Sequence, residues 1–366
     1  MQKPGSRSAI YLDANASEVP RPEAAVAMLA AFGVAGNPAS VHGAGRRARA
    51  LLEDARDSVA RRFGGASGDW VFTSGGTEAD ALAVHALGAE RRLIIGATEH
   101  DAIRAAAAGA DILRVDGNGV ADLDHLADLL AQGPALVCLM LANNETGVIH
   151  PIVEASAICR RFGARLHVDA VQAAGRMQVD LASLGADSLA VSAHKMGGPM
   201  GVGALLAAPG LEITALIKGG GQERGRRGGT PALPAIAGFG AVAALPMVGF
   251  GGLRDRFATA ADACGAIEIG AGAPRLANTA CLALPGVKAE TQVIALDLVG
   301  IQVSAGAACS SGKVARSHVL DAMGLGTLAG EAIRVSLPWN ITEADLDLAI
   351  AAYRAMAARL RPGLAA

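Results

Sequence analysis

The sequence predicts an α/β protein, with a mostly parallel sheet covered by helices and a smaller α+β domain after it. Three observations carry that reading. From about residue 70, short apolar runs alternate with stretches of helical spacing. The polar residues of that region gather at the C-terminal ends of the runs, where ligands sit in such sheets. After about residue 245 the alternation gives way to a different texture.

The runs are WVFTSG (70–75), RLIIGA (92–97), ALVCLMLA (135–142), RLHVDA (165–170), SLAVSA (188–193) and GVGALLAA (201–208). They are continuously apolar rather than alternating, which fits strands buried on both faces. Between them lie helical patterns such as Ile152, Ala155, Ile158, Cys159 and Phe162. Later strands are expected in 276–284, 301–306 and 332–337, and helices near 288–299, 315–323 and 343–360. The expected division is a large domain over 12–245 and a small one over 246–366, joined by 1–11 and carrying Cys309 and Arg334. Tyr11-Leu12-Asp13 is read as the entry into the large domain.

Composition narrows the function. Hydrophobic residues make up 52% of the 366, enough for a large core, but aromatics only 3%, so that core is aliphatic. A formal charge of −2 with no basic tract gives no support for binding nucleic acid or an anionic membrane. The uncharged stretch 235–253 holds Pro246 and several glycines, and reads as a buried helix and a glycine-rich turn rather than a membrane span. The N-terminus lacks the apolar core of a signal peptide. The five cysteines, Cys138, Cys159, Cys264, Cys281 and Cys309, form no CxxC and no zinc spacing, which suits a reducing cytoplasm.

Four motifs carry possible chemistry. Only five lysines exist, and Lys195 alone follows an apolar strand and precedes a tight Gly197-Gly198-Pro199 turn. A rigidly held lysine able to lose its proton suits Schiff-base chemistry, although an ordinary surface lysine also fits. Asp169 ends a strand, where a carboxylate needs either a cationic partner or a capping role. Ser74-Gly75-Gly76-Thr77-Glu78 opens a helix after a strand and reads as an anion site or as a capped turn. Cys309 sits among small residues, Ala305 to Gly312, which favour access, whereas the other cysteines lie in apolar or helical surroundings. Two further matches fail. Gly238-Phe239-Gly240-Ala241-Val242-Ala243 has no strand before it, and Gly306 to Lys313 is one residue too long for a phosphate loop.

Taken in order, the motifs resemble cysteine desulfurases of the NifS/IscS type, in the class V aminotransferase group of fold-type I pyridoxal 5′-phosphate (PLP) enzymes. They are YLD (11–13), SVH with Arg46 (40–46), TSGGTEA (73–79), EH (99–100), NNETG (143–147), HVDAVQ (167–172), SAHK (192–195), GGGQERGRRGGT (219–230), AACSSG (307–312) and AIRVSL (332–337). The resemblance implies a seven-stranded sheet and a PLP Schiff base on Lys195. It implies that Asp169 pairs with the pyridine nitrogen, Gln172 with the phenolic oxygen, and that His100 stacks on the ring and moves protons. Gly76, Thr77, Ser192 and His194 are implied to hold the phosphate, and Thr230 to reach the phosphate of a neighbouring subunit in a homodimer. Asn144 and Arg334 are implied to hold the carboxylate of L-cysteine, and Cys309 to accept its sulfur for a partner, an iron–sulfur scaffold or a tRNA-thiolation protein.

The chain departs from that pattern at Asp80-Ala81, Met200, Ala305, Ala307 and Pro338-Trp339-Asn340, and 245–275 looks shortened. None of these removes a group the chemistry needs. The rivals are an aminotransferase or selenocysteine lyase of the same group, and a non-catalytic member that only docks to scaffolds.

Overall fold

The structure is a computed structural model describing residues 9–306 and 316–361. Its strands, in chain order, are Ile10–Tyr11 (β1), Trp70–Thr73 (β2), Arg92–Gly96 (β3), Asp111–Leu113 (β4), Ala135–Cys138 (β5), Arg165–Asp169 (β6), Ser188–Ser192 (β7), Gly203–Ala207 (β8), Ile267–Ile269 (β9), Thr279–Ala283 (β10), Ile301–Gln302 (β11), Ser304–Ala305 (β12) and Ala332–Ser336 (β13). Seven of them form the central sheet in the order β2-β8-β7-β6-β5-β3-β4, in which β8 alone runs antiparallel to its neighbours. The expected mostly parallel, seven-stranded sheet is present.

The pleat sends alternate residues to opposite faces. Trp70, Phe72, Ile94, Val137, Val168 and Val191 join one core, while Val71, Ile95, Leu136, Cys138, Ala190 and Leu205 join another. Helix Gly76–Leu87 covers the second face through Ala79, Leu82, Ala83 and Leu87. The first face is covered by several helices, among them Gly43–Phe63, whose Ala48, Leu52, Ala55, Val59 and Phe63 recur at helical spacing. Helix Leu233–Ala243 is the buried helix expected from the uncharged stretch. Its Gly240 lies so close to that helix that a Cβ there would sit 2.6 Å from Ala55 Cα. The glycine pair of the failed dinucleotide match is therefore a helix-packing feature.

A separate core gathers Leu12, Phe257, Leu282, Leu296, Ile333, Leu337, Leu346 and Tyr353. It backs a four-stranded antiparallel sheet of order β12-β13-β10-β9. The N-terminal segment ties into this region: β1 pairs parallel with β11, and Leu12 is fully buried there. The chain then turns, and from Asn15 onward it lines the central sheet's C-terminal edge through hydrogen bonds from Gln172 and Lys195. No helix among the described residues is long and apolar enough to cross a membrane.

Candidate active site

The strand ends assemble the polar residues. Strand β6 delivers Asp169, whose Oδ1 accepts the Val171 amide at 2.8 Å. The residues after it form turns and not a helix for it to cap, and one hydrogen bond does not settle a carboxylate this deeply buried. Burial, and then the charge of Asp80, push its pKa up to about 7. Strand β7 ends at Ser192, and a single turn, Ala193–Lys195, follows. Gly197, at φ +82°, and Gly198 let the chain fold back tightly: a Cβ on Gly198 would lie 2.9 Å from the Ala193 carbonyl oxygen. The Lys195 ammonium donates to the carbonyls of Asn15 at 2.5 Å and Ala16 at 3.0 Å.

Asn15 is the hub the sequence did not announce. Its carbonyl also accepts Gln172 Nε2 at 2.9 Å, so Lys195 and Gln172 meet on one oxygen. Its Nδ2 donates to the Asn144 carbonyl at 3.1 Å, and Arg334 Nη1 donates to that same carbonyl at 3.1 Å. Arg334 is 2% exposed and pairs through Nη2 with Asp13 at 2.6 Å, leaving its Nε without a partner. Four expected site residues (Lys195, Gln172, Asn144 and Arg334) are thus brought to one place by the segment 13–16, and Asp169 stands three positions before Gln172. Arg176 braces that segment, and Glu18 and Trp339 brace the residues just after it. Arg176 donates to the Ala14 carbonyl and to the Gln172 side chain, and Trp339 donates to the Val19 carbonyl with the Arg21 guanidinium 4.1 Å above its ring. The departure at Trp339 therefore has a structural role.

At the other end of the site, helix Gly76–Leu87 starts on Gly75, which offers no side-chain cap. Strand β8 passes close by at Gly203, where only glycine fits, since a Cβ on Gly203 would stand 2.6 Å from the Gly75 carbonyl carbon. Ser192 Oγ is buried with no partner. His194 Nδ1 lies 3.3 Å from Ser17 Oγ, and burial, with the nearby Lys195 and Arg176 charges, lowers its pKa to about 4, so the ring is neutral. Glu78 serves the helix start as expected: it accepts the Ser74 amide at 2.8 Å and pairs with Arg227. Thr77 is exposed at this end. Thr230 lines a separate cavity of about 210 Å³ with Thr73, Ser74 and Arg227. Cys309 lies outside the described residues.

His100 caps helix Asp101–Ala106, its Nδ1 accepting the Ala102 amide at 3.1 Å, and its ring lies near Asp169 and Asp80. Beneath it lies an unexpected buried set. Asp80 Oδ1 is 3.2 Å from His167 Nε2, whose Nδ1 is 2.8 Å from Ser188 Oγ. Burial raises Asp80 to about 7 and lowers His167 to about 4, so the ring is neutral at pH 7 and the carboxyl holds its proton only below it. Glu99 accepts the Met140 amide at 2.7 Å, and burial holds its carboxyl well above the usual range.

Raised carboxyl pKa values have a defined stability signature. Asp80 and Asp169, each at about 7, add stability that is full below the unfolded carboxyl value and lost as pH rises through 7. For the protein free of added PLP, thermal unfolding should therefore occur at lower temperature as pH rises from 5 to 7. The slope approaches about 1.4 kcal/mol per pH unit for each group. Asp80→Asn should flatten it, and an unchanged slope would mean that these carboxyls are ionised in the fold.

Comparison with known proteins identifies the family. Residues 10–348 match the family model described as aminotransferase class-V. A cysteine desulfurase from Cereibacter sphaeroides is 41% identical, with 92% of this chain and 93% of that one covered. An IscS-like cysteine desulfurase from Mycobacterium tuberculosis is 36% identical, with 96% and 97% covered. Among solved structures, a NifS-like protein from Rickettsia africae superposes with a TM-score of 0.84 at 32% identity, covering 95% of this chain and 99% of that one. With matches of this extent, the chain belongs to the class V aminotransferase family, among the cysteine desulfurases of the NifS/IscS type.

Proposed function

We propose that this protein is a PLP-dependent cysteine desulfurase. It removes sulfur from L-cysteine to give L-alanine and a persulfide on Cys309, which then passes to an acceptor protein, an iron–sulfur scaffold or a tRNA-thiolation protein. The observation that carries the reading is the meeting of Lys195, Gln172, Asn144 and Arg334 around Asn15, beside a buried Asp169.

The residues fit PLP. Asp169 is a buried carboxyl with its pKa raised for want of a cation, and a protonated pyridine nitrogen is one. The orphaned Ser192 hydroxyl and the uncapped helix start at Gly76 and Thr77 suit a phosphate, with the neutral His194 able to donate one more hydrogen bond. Gln172 Nε2 spends one hydrogen on Asn15 and keeps a second for the phenolic oxygen.

Bound PLP supplies an electron sink that draws charge from the substrate's Cα. Lys195 takes the Cα proton, and Asp169 keeps the pyridine nitrogen protonated. His100 packs on the cofactor and moves a proton at the substrate. Asn144 and Arg334 hold the carboxylate, for which a guanidinium's two-pronged donor geometry is suited. The Cys309 thiolate attacks the substrate sulfur. Overall the substrate C–S bond breaks, an S–S bond forms on Cys309, and the thiol proton ends on the carbon of alanine, so no outside reductant is needed.

We also place the enzyme as a homodimer with Thr230 contributed across the interface. Helix Pro22–Phe32 supports this by leaving Val26, Leu29 and Phe32 largely exposed on one element. The four described cysteines are all free, in keeping with a reducing cytoplasm.

The test is turnover of L-cysteine, with alanine quantified and the Cys309 peptide weighed for one added sulfur. Borohydride reduction should place the cofactor label on Lys195. A label on another lysine, or none, would overturn the reading. Arg334→Gln should raise KM for cysteine about 10- to 100-fold, as expected for a lost charge-assisted hydrogen bond of ~1.5–3 kcal/mol. An unchanged KM would remove Arg334 from the carboxylate site.

A further inference from the structure

We infer that Arg176 is a positioning residue for the cofactor: it locks the Gln172 amide in the one orientation that presents an N–H to the phenolic oxygen of PLP. The inference rests on the desulfurase reading above and deepens it with a residue to which that reading gives no part in the chemistry.

Strand β6 ends at Asp169, and residues 171–176 follow as successive turns. The Ala174 amide donates to the Ala170 carbonyl at 2.9 Å, and the Met177 amide to the Ala173 carbonyl at 3.1 Å. Turns of that pitch bring side chains four positions apart together, here Gln172 and Arg176. Both are buried. Arg176 Nη1 donates to the Gln172 backbone carbonyl at 3.0 Å and also to Gln172 Oε1. Gln172 Nε2 donates to the Asn15 carbonyl at 2.9 Å.

The two ends of a side-chain amide have nearly the same shape, so their partners must tell them apart. Here each partner has a single role. A guanidinium only donates, so the end facing Arg176 is the oxygen. A backbone carbonyl only accepts, so the end facing Asn15 is the nitrogen. The two partners fix the same orientation. Lys195 Nζ meets the same Asn15 carbonyl, so the donor end of the amide stands on the lysine's side. In PLP the phenolic oxygen sits on the ring carbon next to the one bearing the aldehyde, the group that Lys195 takes. The second Nε2 hydrogen is thus available where that oxygen comes. Were the amide turned over, its oxygen would oppose the phenolic oxygen, lone pair against lone pair, and its NH2 would oppose the guanidinium.

Arg176 is itself held for this task. Its Nη2 donates to the Ala14 carbonyl at 2.9 Å. Burial lowers its pKa to about 10, with Glu18 and Tyr11 acting in the opposite sense and Arg334 adding to the fall, so it stays charged at neutral pH. His194 also lies near this charge, and its ring is neutral. Ala14 keeps a second support without the arginine, since its amide donates to the Ser336 carbonyl at 3.1 Å.

The test reads the pH midpoint of the visible absorbance of the PLP-loaded protein, which reports the proton on the Lys195 nitrogen once that nitrogen is joined to the cofactor. An N–H on the phenolic oxygen stabilises its negative charge, weakens its hold on that proton and lowers the midpoint. Arg176→Met should raise the midpoint by about one pH unit. Arg176→Lys, which still donates, should restore it to near the wild-type value. Gln172→Ala should raise it as far as Arg176→Met does, and combining the two should add nothing, because the arginine acts through the amide. A further rise in the double variant would assign the effect to the arginine's charge alone and overturn the inference, as would a wild-type midpoint in Arg176→Met or in Gln172→Ala. If Arg176→Met does not fold, wild-type protein labelled with ¹⁵N-glutamine decides the question. The Gln172 side-chain signals, assigned by their loss in Gln172→Ala, should move when PLP is added, and unmoved signals would overturn the inference. Wild-type protein that gains no visible band with PLP would instead sink the PLP reading itself.

Discussion

Lys195→Ala is expected to cut alanine formation from L-cysteine by at least about a thousandfold, since it removes both the proposed covalent anchor and the proposed base, and positioned proton transfer alone contributes ~10²–10⁴. The structure indicates why the loss should be chemical and not structural. Lys195 Nζ gives two hydrogen bonds to the carbonyls of Asn15 and Ala16. The Asn15 carbonyl keeps its bond from Gln172 when the lysine is gone, and Arg176 still holds Ala14. The site wall should therefore stand, with a stability loss on the order of 3 kcal/mol for the two charge-assisted bonds. The arrangement also sets a requirement on the resting protein. An amine that donates to two carbonyls is held away from any aldehyde, so cofactor loading must break those bonds. The check is alanine quantification alongside thermal unfolding. Activity within tenfold of wild type, in a stably folded variant, would move the base to another residue.

What the sequence disclosed and what it withheld divide along a physical line. The strands at 70–73, 135–138, 165–169 and 188–192 were legible because burial on both faces demands continuous apolar runs. Asp111–Leu113 and Ile267–Ile269 were not, because both are short edge strands with partly exposed residues, which leave no run to read. The same division holds in the site. Lys195, Asp169 and Ser192 could be named from their places at strand ends, where a parallel sheet puts its ligands. Asn15 could not. Its bonds reach Asn144, Gln172, Lys195, Asn278, Thr279 and Ser336, from 129 to 321 positions away, and its own segment has no periodicity. Asp80 was visible as a departure from the family pattern, but its partner His167 faces it from strand β6. A local pattern can report burial, and it cannot report which distant group a buried polar atom meets.

Cys309→Ser should abolish sulfur addition to the protein and lower alanine formation by at least about a thousandfold, because a serine hydroxyl lacks the thiolate that attacks sulfur. The other described cysteines are poor substitutes. Cys138, Cys159 and Cys281 are buried, and burial pushes all three thiols up, Cys159 to about 12. A thiol so shifted is not a thiolate at neutral pH. Cys264 is half-buried beyond helix Leu253–Asp262, and its Sγ donates to the Ala260 carbonyl at 3.3 Å. Lys195, Asp169 and Arg334 keep the supports described for them, from Asn15, Ala16, Val171, Asn144 and Asp13, none of which is substituted. Substrate binding and the cofactor's visible absorbance should thus persist while sulfur transfer stops. That split separates a desulfurase from an aminotransferase on the same scaffold, which has no use for the thiol and would keep its rate. If the serine variant still releases alanine at the wild-type rate, Cys309 is not the acceptor. Weighing the Cys264 peptide would then show whether that cysteine takes the sulfur instead.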